Sequence, residues 1–245
     1  MIYPLLSYDI FGDLGEQLFQ IADVYKFAKE SRKNNIRRKI VFKKGNKYWD
    51  TIFNSQFRLY EEGVYNNINF LKVSGDFNKY YNDNSNIKLD ICNYKFCDEV
   101  KNKMTKIIYN DEDLMYNAYY KYRDILDYYG SNTKDSDLVC LDYKNDINIE
   151  YYKEALKLID INNVVIFCDK KDNIVNHFDD KYNIYYIENI DIETGLILFS
   201  MFQHNILSYS LECLWASYIS HYDMKLVVAP KELKVYCNNN VSNYL

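Results

Sequence analysis

Short apolar runs alternate with amphipathic helical segments through the second half of the chain, and this alternation limits the fold more than any other feature. A run too short for a helix, followed by apolar residues at helical spacing, is the pattern of a βαβ unit. Repeated units build a parallel sheet with helices on its faces. The predicted strands are 138–141, 164–168, 184–188, 205–207 and 225–229, and the predicted helices are 149–159, 172–178, 192–202 and 211–218.

The first half has the same pattern with less regular spacing. A β-favouring run over 2–8 is followed by a glycine turn and a helix over 14–33. Further predicted strands are 39–42, 68–73 and 87–91, and further predicted helices are 94–109 and 111–129. A polar stretch over 131–137 then predicts a boundary between two α/β domains, 1–133 and 134–245, with a cleft between them.

Charge and apolar patterning exclude several classes of function. The net charge is −5, which is unfavourable for non-specific binding to nucleic acid or to an anionic membrane. The chain lacks an uncharged apolar run long enough to span a bilayer and a basic segment ahead of its first apolar run. Its six cysteines are scattered, as in proteins that keep reduced thiols. We therefore expect a cytoplasmic protein without a membrane span.

Three segments, in order and spacing, resemble glycosyltransferase family 11, the α-1,2-fucosyltransferase family. The first matches the family's glycine loop and the helix after it, the second its Tyr-Tyr helix and its Phe-Ser-Asp loop, and the third its His-Asn-Ile and Ala-Pro-Lys signatures. The residues that carry the resemblance are Gly12, Leu14, Gly15, Gln17, Phe19 and Gln20, then Tyr151, Tyr152 and Asp169, then His204, Asn205, Ile206, Ser210, Trp215 and Ala229–Lys231.

The resemblance implies a two-lobed GT-B-like α/β fold with Rossmann-type parallel sheets and a central cleft. It also implies a GDP-fucose donor, a glycan hydroxyl as acceptor, inversion at the anomeric carbon and neither metal nor cofactor. The lobe over 1–133 would lie on the acceptor side, and the lobe over 134–245 would bind the nucleotide sugar. The oligomeric state is not implied.

One motif of the family is replaced here. The family has His-x-Arg-x-Gly-Asp where this chain has Leu141 to Asp146, so Tyr143 stands at the arginine position and only Asp146 is retained. The stretch carries one lysine, Lys144, against two aspartates, and its net charge is −1. Arginine stabilises the leaving phosphate through paired charged donors, and loss of such a donor typically slows turnover by roughly 10²–10³-fold.

Each candidate site residue has a second reading. Gly12, Gly15 and Gln17 could line the cleft, or the glycines could simply form a tight turn. Lys144, Ser208 and Ser210 could hold the pyrophosphate, although Lys144 could instead pair with Asp146. Asp169 could bind the nucleoside or cap the next helix. His204 could bind the donor or be a structural histidine. The general base could be Asp13, Glu16 or Asp146, and the sequence leaves this choice open.

Two functions follow from these residues. The first is an active glycosyltransferase with an altered donor or acceptor. The second is a catalytically degenerate relative that binds a glycan, a nucleotide or a partner protein without turnover. The lost arginine favours the second, while the scaffold alone does not decide between them.

Overall fold

The chain forms two compact units, Met1–Asp111 and Glu112–Leu245, each built around its own parallel sheet. The structure is a computed structural model that describes residues 3–130, 132–178, 180–237 and 241–245. It confirms the predicted α/β fold with Rossmann-type parallel sheets.

The first unit has a five-stranded sheet in the order β3-β2-β1-β5-β4, with every strand pair parallel. Its strands are β1 (Leu5–Tyr8), β2 (Lys39–Lys43), β3 (Arg58–Tyr60), β4 (Leu71–Val73) and β5 (Ile87–Leu89). Its helices are α1 (Leu14–Lys33), α2 (Glu62–Asn66) and α3 (Asp98–Ile108). The order reverses direction between β1 and β5, and open parallel sheets bind ligands near such a reversal.

Helix α1 joins β1 to β2 in the first βαβ unit. Its apolar side chains, among them Leu18, Ile21 and Val24, are fully buried. Asp13 is the N-cap residue, and Glu16 lies in the first turn, where a negative charge suits the helix dipole. Arg32 and Lys33 lie in the last turn, where positive charge suits the C-terminal end of the helix dipole.

The second unit has a six-stranded parallel sheet in the order β11-β10-β9-β6-β7-β8. Its strands are β6 (Leu138–Asp142), β7 (Asn163–Cys168), β8 (Asn183–Glu188), β9 (His204–Ile206), β10 (Val227–Ala229) and β11 (Asn243–Tyr244). Its helices are α4 (Glu112–Tyr129), α5 (Ile149–Ile159), α6 (Ile192–Ser200) and α7 (Leu211–Ile219). All residues of β6 are buried, so this strand is the centre of the sheet.

Several elements differ from their predicted bounds. Helix α4 packs against α6 and belongs to the second unit, although the predicted boundary after residue 133 assigned it to the first. The helix predicted over 172–178 is a single 3₁₀ turn at Lys171–Asn173. The strand predicted over 2–8 begins at Leu5. Ile2 of that range and Ser131 of the predicted boundary lie outside the described residues.

No helix among the described residues combines the length and the apolar character that a membrane crossing requires.

Candidate functional site

The strand order of the second unit reverses between β6 and β9, and this is where open parallel sheets bind ligands. Both strands end at the same edge because they are parallel. Asp142 is the last residue of β6, and Ser208 follows β9. The loop after β7, which begins at Asp169, borders the same edge.

Asp142 and Ser208 are hydrogen bonded to each other at this reversal. The Ser208 hydroxyl donates to Oδ2 of Asp142, and both residues are buried. Burial raises the pKa of the Asp142 carboxyl, while the Ser208 hydrogen bond and the charge of Lys144 offset part of that effect. This edge of the sheet therefore has a buried carboxyl group, Asp142, which the sequence analysis did not single out. Its position as the final polar residue of a buried strand was the available signal.

Helix α7 begins next to this pair and is capped by Ser210. The backbone N–H of Cys213 donates to the Ser210 hydroxyl at 3.1 Å, which is an N-cap bond. The Ser210 hydroxyl is also 3.1 Å from a carboxylate oxygen of Glu212, to which it donates. A helix N-terminus attracts anions, but Glu212 and Asp142 add negative charge beside this one. This helix N-terminus is therefore less favourable for binding a phosphate than one without neighbouring carboxyl groups.

Lys144 supplies positive charge at the same edge. Its Nζ is 3.9 Å from Oδ1 of Asp169, and both side chains are solvent exposed. This pairing links the loops after β6 and β7. The structure thus brings Lys144 together with Asp169, whereas the sequence also offered Asp146 as its partner. Asp146 itself is exposed on the loop between β6 and α5.

Two tyrosines of α5 hold the loops of this edge. The Tyr152 hydroxyl accepts a hydrogen bond from the backbone N–H of Lys144 at 2.9 Å. The Tyr151 hydroxyl donates to the carbonyl of Leu207 at 2.7 Å, immediately before Ser208. The Tyr-Tyr pair of the sequence therefore positions the loops from behind the site.

The side chain at the family's arginine position is buried. Tyr143 is 8% exposed and belongs to the core formed with Tyr152, the ring centroids lying 5.2 Å apart. Leu141, at the family's histidine position, is fully buried within β6. Leu141 and Tyr143 are therefore core residues here, and within this stretch Lys144, Asn145 and Asp146 are exposed.

His204 does not join the site. It is the first residue of β9, so it lies at the opposite end of that strand from Ser208. The backbone N–H of Leu226 donates to Nδ1 of His204 at 3.0 Å, and burial lowers the pKa of the imidazole. These contacts make His204 a structural residue, which is one of the two interpretations that the sequence allowed.

The first unit places the remaining predicted residues around the loop between β1 and α1. Gly12 has φ +82°, and a Cβ there would lie 1.9 Å from Oε2 of Glu16. Glu16 folds back over the loop and accepts a hydrogen bond from the backbone N–H of Asp13 at 3.1 Å. Asp13 is exposed, whereas Gly15 is buried in the first turn of α1. Of the two predicted acids in this loop, Asp13 is therefore the more open to solvent.

Gln17 joins two loops of the first unit. Its Nε2 donates to the carbonyl of Gly12 at 2.7 Å, and its Oε1 accepts from Nδ2 of Asn46 at 2.7 Å. Gln17 is 3% exposed. Nearby, Gln20 bonds both the N–H and the carbonyl of Phe11. The two glutamines that match the family therefore fix the loop conformation from beneath.

These loops enclose a cleft of about 500 Å³ at the carboxyl ends of β1 and β2. The sequence analysis did not predict the part of this cleft that residues 43–47 form. The available signal was the Lys-Lys-Gly-Asn-Lys run of residues 43–47, which directly follows an apolar strand. The cleft is lined by Tyr8, Asp9, Ile10, Phe11, Gly12, Gln17, Lys43, Lys44, Gly45, Asn46, Lys47, Asn66 and Lys88.

No protein-family model and no curated protein sequence matches the chain. Solved structures do resemble it. A FUT1 variant of Arabidopsis thaliana in complex with GDP has a TM-score of 0.61 and 10% sequence identity, covering 98% of this chain and 72% of that one. POFUT1 in complex with GDP has a TM-score of 0.51 and 11% identity, covering 99% of this chain and 97% of that one.

A family 9 glycosyltransferase from Veillonella parvula is a further structural neighbour. It has a TM-score of 0.52 and 10% identity, covering 100% of this chain and 87% of that one. The chain therefore has a GT-B-like glycosyltransferase fold.

Proposed function

We propose that this chain is a glycosyltransferase of the α-1,2-fucosyltransferase type, a divergent member of glycosyltransferase family 11. It transfers fucose or a related deoxysugar from a nucleotide sugar to a glycan hydroxyl, with inversion and without a metal. The observation that carries the proposal is that Lys144 pairs with Asp169 on the loops after β6 and β7, while Ser210 bonds Ser208 after β9 at the same edge of the parallel sheet. Two structural neighbours that hold GDP support the choice of donor class.

In this proposal the pyrophosphate binds between Lys144 and the N-terminus of α7, and Asp169 binds the nucleoside. Lys144 is a single point charge on a flexible side chain, whereas the family's motif has, at the position of Tyr143, a planar arginine that binds two oxygens at once. The acceptor hydroxyl gives its proton to a carboxylate, for which Asp13, Glu16 and Asp146 are the candidates. The leaving phosphate gains negative charge, so the weaker positive charge predicts slow turnover.

A second function is favoured by a specific observation, the carboxyl groups at the reversal point of the second sheet. Asp142 lies beneath Ser208, Glu212 lies beside Ser210, and Tyr143 is turned into the core. A site with this charge holds a pyrophosphate poorly. The second candidate is therefore a degenerate relative that binds a glycan, a nucleotide or a partner protein without transferring a sugar.

Calorimetric titration with GDP, GDP-fucose and UDP-sugars separates the two functions. The variant Lys144→Gln removes the proposed phosphate contact. Lys153→Gln is its matched control, since Lys153 is an ion-paired surface lysine of the same unit. We expect GDP-fucose to bind the parent and Lys144→Gln to weaken binding by about tenfold or more, the usual effect of losing one charge-assisted hydrogen bond.

A donor-hydrolysis and transfer assay then follows the same samples. Slow release of GDP that depends on Lys144 supports the transferase. Binding of GDP-fucose without any turnover supports the degenerate relative. Absence of binding to every nucleotide contradicts both nucleotide-dependent readings.

A further inference from the structure

We propose that the cleft of the first unit binds a saccharide that carries an acidic group, a carboxylate, sulfate or phosphate. If the proposed function holds, this saccharide is the acceptor. Only its role as acceptor rests on the proposed function, because its binding is inferred from the cleft itself. Neither the sequence motifs nor the structural neighbours assign a charge to the ligand of this unit.

Charge is the first argument. Four lysines and one aspartate line the cleft. The aspartate, Asp9, is neutralised locally, because its Oδ2 is 2.8 Å from Nζ of Lys88 and its Oδ1 accepts from the Tyr65 hydroxyl at 3.1 Å. Lys43, Lys44 and Lys47 are therefore the cations of the lining that Asp9 does not neutralise. A concave site lined by one sign of charge concentrates ligands of the opposite sign.

The partners of Lys43 and Lys44 weaken the positive field of the cleft without reversing it, since four lysines stand against Asp9, Glu61 and Glu62. Lys43 pairs with Glu62 at 2.5 Å, and Lys44 pairs with Glu61 at 2.8 Å. Both glutamates lie outside the cleft lining, and their side chains are 68% and 73% exposed. Surface ion pairs of this kind are weak because water screens them. An anionic ligand can therefore draw either lysine into the cleft at little cost.

The backbone holds the lysines around the cleft. The N–H of Lys44 donates to the carbonyl of Tyr60 at 2.8 Å, and the indole N–H of Trp49 donates to the carbonyl of Lys43 at 3.0 Å. Asn46 is tied to Gln17 across the cleft floor. The loop that carries the lysines is thus anchored at both ends by buried or half-buried groups, and the site is largely preformed.

The rest of the lining favours a sugar over a bare anion. The Phe11 ring is 54% exposed and offers an apolar face to one side of a pyranose. Asn46 and Asn66 bring amide groups that can bond hydroxyls. A volume of about 500 Å³ lies in the range of small-molecule sites, and a concavity of this size suits a short saccharide better than an extended polyanion.

The test is a titration of the whole chain with sugars that differ in one group: glucose, glucuronic acid and glucose 6-phosphate, with inorganic phosphate as the bare anion. We expect both acidic sugars to bind at least about tenfold more tightly than glucose and more tightly than phosphate, and sodium chloride to weaken their binding. Equal binding of glucose and the acidic sugars would overturn the proposal. Equal binding of phosphate and the acidic sugars would overturn the saccharide part.

Variants identify the cleft. Lys44→Gln with Lys47→Gln should lower the affinity for glucose 6-phosphate by about tenfold or more. Lys29→Gln is the matched control, because Lys29 forms a comparable exposed ion pair with Glu99 at 3.2 Å and lies outside the cleft lining. Glu61→Gln should instead raise the affinity, since it releases Lys44. A loss of affinity on Glu61→Gln, or an equal loss on Lys29→Gln, would overturn the assignment.

The same variants keep this proposal apart from the proposed function. GDP-fucose binding should depend on Lys144 and remain unchanged by the Lys44 and Lys47 substitutions. If the acidic sugars fail to bind while GDP-fucose binds through Lys144, only the cleft proposal is wrong. If GDP-fucose binding depends on Lys44 and Lys47 instead, the cleft is a nucleotide site and the assignment of an acidic saccharide is overturned.

Discussion

The Ser208 hydroxyl donates a hydrogen bond to the buried carboxyl of Asp142, across the two strands between which the second sheet reverses its order. This bond holds a buried acidic group at the edge where such sheets receive ligands. A nucleotide phosphate at this edge must therefore bind outward, toward Lys144, because the deeper position faces a carboxyl group.

Asp142→Asn should change how the free energy of unfolding depends on pH. Burial raises the pKa of Asp142 in the folded state, so the folded chain holds this proton more tightly than the unfolded chain does. Its contribution is therefore greatest below the ordinary carboxyl pKa and is lost as pH rises through the folded pKa. The difference in unfolding free energy between Asp142→Asn and the parent should shift in favour of the variant as pH rises.

Urea unfolding at several pH values, from about 4 to about 7, measures this difference. Asp146→Asn is the control, since it removes the same charge from an exposed position in the loop that follows β6. A parent-minus-variant difference that does not change with pH would show that the burial of Asp142 has no such effect.

Ser210→Ala should destabilise the chain by about 1 kcal/mol, because the N–H of Cys213 loses its cap. Ser210→Asn should recover most of that stability. Ser210→Asp is normally an equally good cap, but here it places a third carboxylate near Asp142 and Glu212 and should be less stable than Ser210→Asn. Thermal unfolding of the three variants at neutral pH tests this order of stability. Equal stability of Ser210→Asn and Ser210→Asp would contradict the acidic character of the site around Ser210.

Gly12→Ala should cost more stability than Gly75→Ala. The two glycines have nearly the same backbone angle, φ +82° and φ +83°, so each alanine bears similar conformational strain of about 1 kcal/mol or more. A Cβ at Gly75 meets open space, whereas a Cβ at Gly12 displaces the Glu16 carboxylate from its bond to Asp13. Chemical denaturation measures both costs. Adding Glu16→Ala should make the two glycine substitutions equally costly if the displaced carboxylate is the cause.

Tyr152→Phe should loosen the loop that carries Lys144, since the Lys144 N–H loses its acceptor. The expected loss of stability is about 1 kcal/mol, and the Lys144 amide should exchange with solvent faster. Tyr128→Phe is the comparison, because the Tyr128 hydroxyl is exposed and its hydrogen bonds are long, at 3.3 and 3.4 Å. Hydrogen exchange measured for both variants should single out Tyr152→Phe, and unchanged exchange at Lys144 would contradict this role.

Local patterns determined much of the fold. The apolar spacing from Leu14 onward predicted a helix over 14–33, and α1 has these bounds. The same rules missed β3 at Arg58–Tyr60, because a three-residue strand carries too short a pattern to be distinguished from a loop. They also predicted a helix where the chain makes one 3₁₀ turn at Lys171–Asn173.

Periodicity and composition are properties of neighbouring residues, so they already indicate that βαβ units form and that polar residues follow their strands. Which of these polar residues meet depends on the fold as a whole. Strand order brings Asp142 to Ser208 and Gln17 to Asn46, buries Tyr143 at the arginine position, and leaves His204 at the far end of its strand. The physical reason is that strand order depends on burying apolar faces from distant segments, and no local pattern records that arrangement.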